Sequence, residues 1–486
     1  MTRHSAAAGL ILLFSSACRI GPPYQRPPAT VPVALKEMAA NDEWKMATPG
    51  DDLPKGKWWE IFGDPQLNTL EELVDINNQN LKQAEAQYRQ ARAVVAGNRA
   101  NYYPTIGVTP AISQSDVGTN GGRSVGGASQ SFSLPADVIW EPDLWGRVRL
   151  SVESAVSNAQ VSAADLENLR LSQQALLATD YFSLAADDMQ QTVLHDTIDA
   201  YEKNLKLTND RFNGGVASRT DVTLAQSQLA GARAQSTELR VARAQFEHAI
   251  ATLTGQAPAS LGIGISRIEG PPPAIPIAVP SRLLERRPDI AASERQVAAA
   301  NANVGLAEAA YYPTLTLSAN PGLLATSLAS LLSYASRNWS SSVALSQTAA
   351  DFGRRGAQLA SARAVYDATV AAYRQTVLAA FQEVEDDLSS LRYLGEEAAQ
   401  QQEAVTAAQQ SLSLETDRYK AGTDSYLNVI TTQTIALSDQ QIAITILQRR
   451  VNAAVDLVKA LGGGWDASTL PSTDTLRSSV PVAKHP

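Results

Sequence analysis

The period of apolar and polar positions changes several times along this chain, and each change marks an element. From about Asn68 to Asn101, Leu70, Leu73, Val74, Leu81, Ala84 and Tyr88 recur at helical spacing, and Tyr103-Pro104 stops the run. Residues 105–112 then alternate, with Ile106, Val108, Pro110 and Ile112 on one side and Thr105, Gly107, Thr109 and Ala111 on the other, which is a strand period. A Gly- and Ser-rich loop follows at 114–128. From Ser131 alternation returns through Phe132, Leu134, Ala136, Val138 and Trp140, and Asp143 to Gly146 closes the hairpin. The stretch from about Arg147 to Asn213 contains no Pro and no Gly. It predicts one helix on the order of 100 Å long. Gly214-Gly215 ends it, and Thr220 or Asp221 caps a further helix to about Thr254.

The same order then repeats. A helix pattern at about 289–310 precedes a strand at 314–319, a loop at 320–337 and a return strand at 338–346. A long helix from about Arg354 to Lys420 breaks at Gly422, and a last helix runs from about Tyr426 to Leu461. Short landmarks recur with it. Tyr102-Tyr103-Pro104 returns as Tyr311-Tyr312-Pro313, and Asp143-Leu144-Trp145-Gly146-Arg147 as Ala350-Asp351-Phe352-Gly353-Arg354. Arg211-Phe212-Asn213-Gly214-Gly215 returns as Arg418-Tyr419-Lys420-Ala421-Gly422, and Leu253-Thr254-Gly255 as Ala460-Leu461-Gly462. The offset is 209 at the first pair and 207 at the others. A period this long is a duplicated large unit, not a solenoid. The expected division is a signal segment 1–17, an N-terminal arm 18–67, repeats at 68–258 and 284–464, a Pro-rich linker 259–283 and a C-terminal segment 465–486.

Strands of this length cross a bilayer when tilted. Their alternation puts apolar residues on one face and Ser and Thr on the other, as in a water-filled barrel; two soluble hairpins on a helical bundle would show the same period. Four strands cannot close a barrel with an aqueous interior, and lipid does not tolerate open strand edges. Membrane strands here require several chains to share one barrel. The long helices carry Ala-, Ser-, Gln- and Asn-rich faces, such as Ala155, Ala159, Ala163 and Ala164, which suit close packing in a wall wetted on more than one side.

Composition narrows the function. Among 486 residues, 40 Lys and Arg stand against 49 Asp and Glu, for a net charge of −9, which disfavours a general nucleic-acid binder. The four His have no metal-ligand spacing, no phosphate-cradling loop or nucleophile elbow occurs, and no cofactor is expected. Glu383, Glu385, Asp386 and Asp387 read as a solvated helix face, so no enzyme is expected. Arg3 and His4, an apolar stretch to Phe14, and Ser15-Ser16-Ala17 form an export signal before the single cysteine, Cys18. That arrangement is similar to a bacterial lipoprotein signal, although Ser15 replaces the usual Leu; the plainer reading is an ordinary signal peptide with an incidental Cys.

Longer motifs carry a family resemblance. They are Cys18 with Ile20-Gly21-Pro22-Pro23-Tyr24, Trp58-Trp59, Phe62-Gly63-Asp64-Pro65, and Trp140 through Arg147. Further on come Arg286-Arg287-Pro288-Asp289-Ile290, Ala310 through Pro313, Tyr419 through Leu427, and Lys459 through Trp465. Together they span the chain, which resembles the TolC-like outer membrane factors, specifically the OprM/NodT-type lipoprotein branch. The resemblance implies a mixed α and β fold. Three chains of four strands form one twelve-stranded outer-membrane β-barrel, continued by a long periplasmic α-helical barrel with an equatorial belt. The partners it implies are two further copies of the chain, a periplasmic adaptor, an inner-membrane pump and outer-membrane lipid. Cys18 would be the lipidated residue. The periplasmic gate would comprise Tyr419 to Thr431 facing Arg211 to Asp221. Leu427 falls at an apolar constriction ring, and Asn428 and Thr431 fall where some members carry acidic rings. Asp221, Asp424, Arg211 and Arg418 are candidates for the ties that hold the tip shut, although helix capping and favourable helix termini account for them equally. A duct for type I protein secretion or metal efflux is the alternative within the class. An exported structural coiled coil, without membrane strands, is the alternative outside it.

Overall fold

The computed structural model describes residues 20–32, 34–37, 56–115, 129–275 and 285–478. Cys18, the expected signal segment, residues 116–128 of the first loop, residues 276–283 of the linker and the last residues from 479 lie outside them. The described elements are α1 (Pro65–Asn77), α2 (Gln79–Ala100), β1 (Thr105–Val108), β2 (Ala111–Ser115), β3 (Ser129–Trp140), α3 (Arg147–Asn213) and α4 (Arg219–Leu253). The second half supplies α5 (Pro288–Ala309), β4 (Thr314–Ala319), β5 (Gly322–Ala325), β6 (Arg337–Asn338), β7 (Ser341–Ser346), α6 (Arg354–Ala421), α7 (Tyr426–Ala460) and α8 (Thr473–Ser478).

The strands form one antiparallel sheet of four lanes. β1 and β2 pair with one side of β3 in unbroken register, Val108 opposite Ala136 and Ala111 opposite Ser133. β4 and β5 pair with its other side, Ala319 opposite Val138 and Gly322 opposite Pro135. β7 and β6 flank β4 and β5 in turn. Pro110 and Pro321 lack an N–H, so they interrupt their lanes without shifting the register; Ala136 N still donates to the Pro321 carbonyl at 2.8 Å. The expected loop at 320–337 is corrected accordingly, since the third lane continues to Ala325.

Each lane continues a helical column. The first column is α4 stacked end to end with α2, the second is α3, the third is α7 stacked with α5, and the fourth is α6. The single helix expected over 68–101 is therefore broken, and Asn78 is the reason. Its Oδ1 accepts the Asn80 and Leu81 N–H groups and caps α2, while its Nδ2 donates to the Leu253 carbonyl at 2.8 Å, tying α4 to α2. Arg287 does the same at the other joint, donating to the Ala460 carbonyl at 3.1 Å and pairing with Asp289 and Glu383 at 2.7 Å. The recurring Gly255 and Gly462 sit at these joints with φ of +68° and +91°. A Cβ would stand 2.4 Å from the Asn77 carbonyl oxygen at the first and 2.0 Å from that of Arg286 at the second.

The Asp143-Leu144-Trp145-Gly146-Arg147 motif and its counterpart Asp351-Phe352-Gly353-Arg354 start the long helices. Asp143 accepts from Val148 and Arg149 N–H at 2.9 and 2.8 Å, and Asp351 from Gly353 and Arg355 N–H at 3.2 and 3.1 Å.

The core lies around the joints. Trp58 and Trp59 are buried at right angles to one another, and Trp58 donates to Gln174 at 3.2 Å. Tyr181 on α3 gathers three segments, donating to Asp64 at 2.6 Å and meeting Ser266 at 2.7 Å. The N-terminal arm is held by Glu385, whose carboxylate accepts from the Lys36 and Glu37 N–H groups at 2.7 and 3.0 Å. Glu37 also pairs with Arg392 at 2.8 Å. The acidic run of α6 is thus not a plain solvated face: Glu383 and Glu385 are engaged, and burial pushes Asp387 up to about 7. Glu71 is fully buried with neither carboxylate oxygen hydrogen-bonded, and burial, reinforced by Asp75, raises its pKa well above the carboxylate range.

Two predictions follow from the joints and this core. Gly255→Ala or Gly462→Ala should each cost about 2 kcal/mol or more, because the added Cβ meets backbone in a left-handed conformation. The temperature at which the folded protein loses its compact gel migration reads this, and an unchanged temperature would contradict the joint. For Glu71 the folded pKa is raised, so the stability of the neutral form is complete below the unfolded value of 4.5 and is lost as pH rises through the folded pKa. Glu71→Gln should therefore flatten the pH dependence of unfolding above that value, measured by the same melting assay.

Candidate channel wall and constriction

The two sheet faces differ in chemistry, although Ile139 and Leu324 fall on the hydroxyl face and Ser341 and Arg337 on the apolar one. One face carries Ile106, Val108 and Ile112, then Phe132, Leu134 and Val138, then Leu315, Leu317 and Leu323, then Val343 and Leu345, matched across the lanes by register. The opposite face carries hydroxyls that bond across lanes: Ser113 to Ser131 at 2.7 Å, Ser115 to Ser129 at 2.9 Å and Ser318 to Ser342 at 2.7 Å. Thr109 donates to Asp137 on the same face at 3.1 Å. A sheet with a greasy face and a hydroxyl face suits lipid on one side and water on the other. The outer lanes leave their apolar side chains bare, with Ile112 70% and Val343 73% exposed in the single chain.

The recurring Tyr-Tyr-Pro motifs stand where helices become strands. Trp140 Nε1 donates to the Tyr102 carbonyl at 3.0 Å. Trp145 Nε1 donates to the Pro313 carbonyl at 2.6 Å, and its ring lies 5.2 Å from that of Tyr312. Aromatic side chains with a polar tip at this level form the girdle that an interfacial position favours.

The opposite end of the molecule holds the expected gate residues. Arg211, in the last turn of α3, donates to the Tyr419 carbonyl of α6 and lies 4.5 Å from the centre of the Tyr419 ring. Thr208 meets the Tyr419 hydroxyl at 3.3 Å. Tyr419 packs 5.2 Å from Tyr426 in a buried cluster with Ala225 and Val429, and burial pushes the Tyr426 hydroxyl up to about 12. Gln228 on α4 reaches Thr434 Oγ1 at 3.1 Å and the Ile430 carbonyl at 3.4 Å on α7. The first and third columns, separated by α3 higher up, therefore meet here.

The acids divide differently. Asp221 forms a reciprocal capping box with Ser218 and serves the start of α4. Asp424 accepts from the Ser425 N–H and from Asn428, both at 2.7 Å, and lies 3.8 Å from Arg418. The Ser425 N–H, and then a hydrogen bond shared with Glu415, hold its pKa below the usual range. Arg418 bonds Glu415 at 3.1 Å, so this cluster closes one helical hairpin on itself. Thr431 returns its hydroxyl to the Leu427 carbonyl at 3.0 Å, and Leu427 is bare, 58% exposed. Side-chain ties between helices at this end include Arg211 to Tyr419, a cation on a carbonyl and a ring, and Gln228 to Thr434 and the Ile430 carbonyl. Thr208, Glu415 and Gln228 were not singled out from sequence. Only Glu415, three residues before Arg418 on one helix, carried a spacing that could have flagged it.

The comparisons with known proteins agree with this geometry. The profile of the outer membrane efflux protein family matches residues 72–256 and again 279–463, once per repeat. The probable efflux pump outer membrane protein TtgC of Pseudomonas putida is 30% identical over 472 residues, 96% of this chain and 97% of that protein. The pyoverdine export outer membrane protein OpmQ of Pseudomonas aeruginosa is 31% identical over 441 residues, 88% of this chain and 92% of that protein. Among solved structures, the outer-membrane channel OprN superposes with a TM-score of 0.86 at 29% identity, covering 92% of this chain and all of that one. With a membrane-type sheet, a helical wall of jointed columns and a profile that matches twice, this chain belongs to the outer membrane efflux protein family.

Proposed function

We propose that three copies of this outer-membrane efflux channel close into one duct, which carries small molecules handed over by an inner-membrane pump through a periplasmic adaptor. The observation that carries this is the four-lane sheet with two open apolar edges. The first and last lanes stand at opposite flanks, and the first and fourth helical columns lie directly beneath them. The outer lanes and the columns beneath them carry exposed apolar side chains, Ile106 and Val94 in the first and Leu345, Val365 and Leu378 in the fourth. Joining flank to flank satisfies the edge backbone groups in lipid. Three such joins give twelve strands, enough for an aqueous interior. The bonded hydroxyl ladders then face water.

At the far end, the reading assigns the constriction to the turn before α7. Leu427 repeats three times around the axis as an apolar ring, which water and ions cross reluctantly when narrow. Arg211 on Tyr419, Gln228 on α7 and the Asp424–Arg418–Glu415 cluster hold the tips together. Cys18 as the acylated residue completes the reading; it rests on the small residues that precede it.

The purified full-length protein in mild detergent should have the mass of a trimer and form pores in planar bilayers. A stable monomer without conductance would overturn the reading. Leu427→Ser combined with Asp424→Ala should raise single-channel conductance and let large antibiotics leak inward. Individual exposed ion pairs are worth about 0–1 kcal/mol, so the single Asp424→Ala change should do little alone. Unchanged conductance in the double variant, with the trimer intact, would place the constriction elsewhere.

A further inference from the structure

One pairing rule serves both repeats, and it reaches past the edge of the chain. Lanes one and two set Thr105 opposite Ile139, and lanes three and four set Thr314 opposite Ser346. The shifts are 209 and 207 residues, the offsets that relate the recurring motifs. The rim contacts shift with them: Trp140 Nε1 donates to the Tyr102 carbonyl at 3.0 Å, and Gln347 Nε2 donates to the Tyr311 carbonyl at 3.0 Å. The join between lanes two and three, where the repeats meet, has no such counterpart among the described strands. In a closed ring of identical copies its counterpart is lane four of one copy against lane one of the next. The same two shifts, applied to Val138 opposite Ala319 and Pro135 opposite Gly322, give Leu345 opposite the partner's Pro110 and Ser342 opposite the partner's Ser113.

Backbone direction agrees with this register independently. Thr109 donates its N–H inward to the Pro135 carbonyl, so Pro110 and Ile112 turn their backbone groups toward the open edge. Ser340 and Asn320 exchange both bonds near the other flank, so Val343 and Leu345 also point outward. The register sets outward groups against outward groups, with Val343 opposite the partner's Ile112. Face chemistry agrees as well. Val343 and the partner's Ile112 are apolar side chains of one face, and Ser342 and the partner's Ser113 are hydroxyls of the other. A slip of one residue breaks both matches. The rim supplies a further contact. Inside the chain, Trp145 donates to the Pro313 carbonyl at 2.6 Å, and its ring lies 5.2 Å from that of Tyr312. Its equivalent in the second repeat is Phe352, whose side chain is fully exposed. Among the described residues it is the only non-glycine with positive φ, +51°. A bare ring on strained backbone needs a neighbour to hold it. The equivalents of Tyr312 and Pro313 are Tyr103, itself 69% exposed, and Pro104.

We infer that lane four of each copy pairs with lane one of the next in this one register, Ser342 against the partner's Ser113, and that Phe352 packs on the partner's Tyr103 at the rim of the seam. The rim contact lacks the indole hydrogen bond of its counterpart inside the chain, because Phe has no N–H to give the partner's Pro104 carbonyl. The inference rests on the barrel reading above, and the test separates the two. Ser113→Cys with Ser342→Cys sets two thiols on a pair that exchanges no backbone bonds, where side chains approach closely and fall within disulfide reach. Slipped pairs, Ala111→Cys or Ser115→Cys with Ser342→Cys, stand on the same face at about 7–8 Å. Each full-length protein is oxidised as the assembled trimer and run on a denaturing gel. The registered pair should give covalent dimer and trimer about tenfold or more above either slipped pair, and the single-cysteine changes should give none. Equal or stronger linking by a slipped pair, or no linking by the registered pair, in a trimer that conducts would overturn the register. At the rim, Phe352→Ala and Tyr103→Ala should each lower the temperature at which the trimer dissociates. The double variant should fall no further than the weaker single, as for two groups of one contact. The two residues stand at opposite flanks of one chain, so their coupling reports the seam. Additive falls would overturn the contact. Either failure leaves a conducting trimer, whereas a monomer without pores would overturn the barrel reading and the seam together.

Discussion

The structure depends on one constraint: a backbone polar group in hydrocarbon must find its partner within protein. A sheet of four lanes satisfies its inner lanes and leaves two rows of donors and acceptors at its edges. The chain is therefore an open fragment of a closed object, and its two outer lanes are the edges at which a neighbour joins. The columns inherit this, since each lane is continued by one helical stave and the open flanks of the sheet are also the open flanks of the wall.

The barrel and the helical wall solve the same problem of enclosing water with opposite means. In the sheet successive side chains point to opposite faces, so most apolar residues fall on one face and most Ser and Thr residues on the other. In the wall the helices pack through small residues, with Ala164, Ala291 and Ala292 forming a buried contact between α3 and α5. Gly21 and Gly305 likewise bring the arm against α5 at a distance that leaves no room for a Cβ. Arg243 binds Asp188 at 2.6 Å and Arg287 binds three acceptors near the joints, while other ion pairs are spread along the staves, such as Arg233 to Glu202 at 2.6 Å and Arg363 to Glu308 at 3.0 Å.

Much of this was legible in the sequence because periodicity and duplication report directly on lanes and staves. Alternation at 105–112 and 131–140 and the long helical runs behind Arg147 and Arg354 correspond to elements within a few residues. The misreadings have local causes. Asn78 sits inside a helical pattern, and nothing in its neighbours says that it caps one helix while holding the end of another 175 residues away. Pro321 looked like the end of a strand, because a missing N–H and a missing pairing partner are indistinguishable without register. At the turns before α4 and α7 the chosen residues lie near one another, but their pairings were not legible. Whether Asp221 caps or bridges depends on the direction of one carboxylate, and Ser218 takes it.

The two kinds of stave differ mechanically. α3 and α6 are single rods of 67 and 68 residues, which resist bending through continuous backbone hydrogen bonds. The other two staves are spliced. Their halves bear on one another at a glycine and are stitched by side chains, with Asn78 in one and Arg287 in the other. A splice of this kind carries compression well and torsion poorly. Twist applied at the narrow end therefore reaches the strands through the two continuous rods, while the spliced staves can yield at the level of the belt.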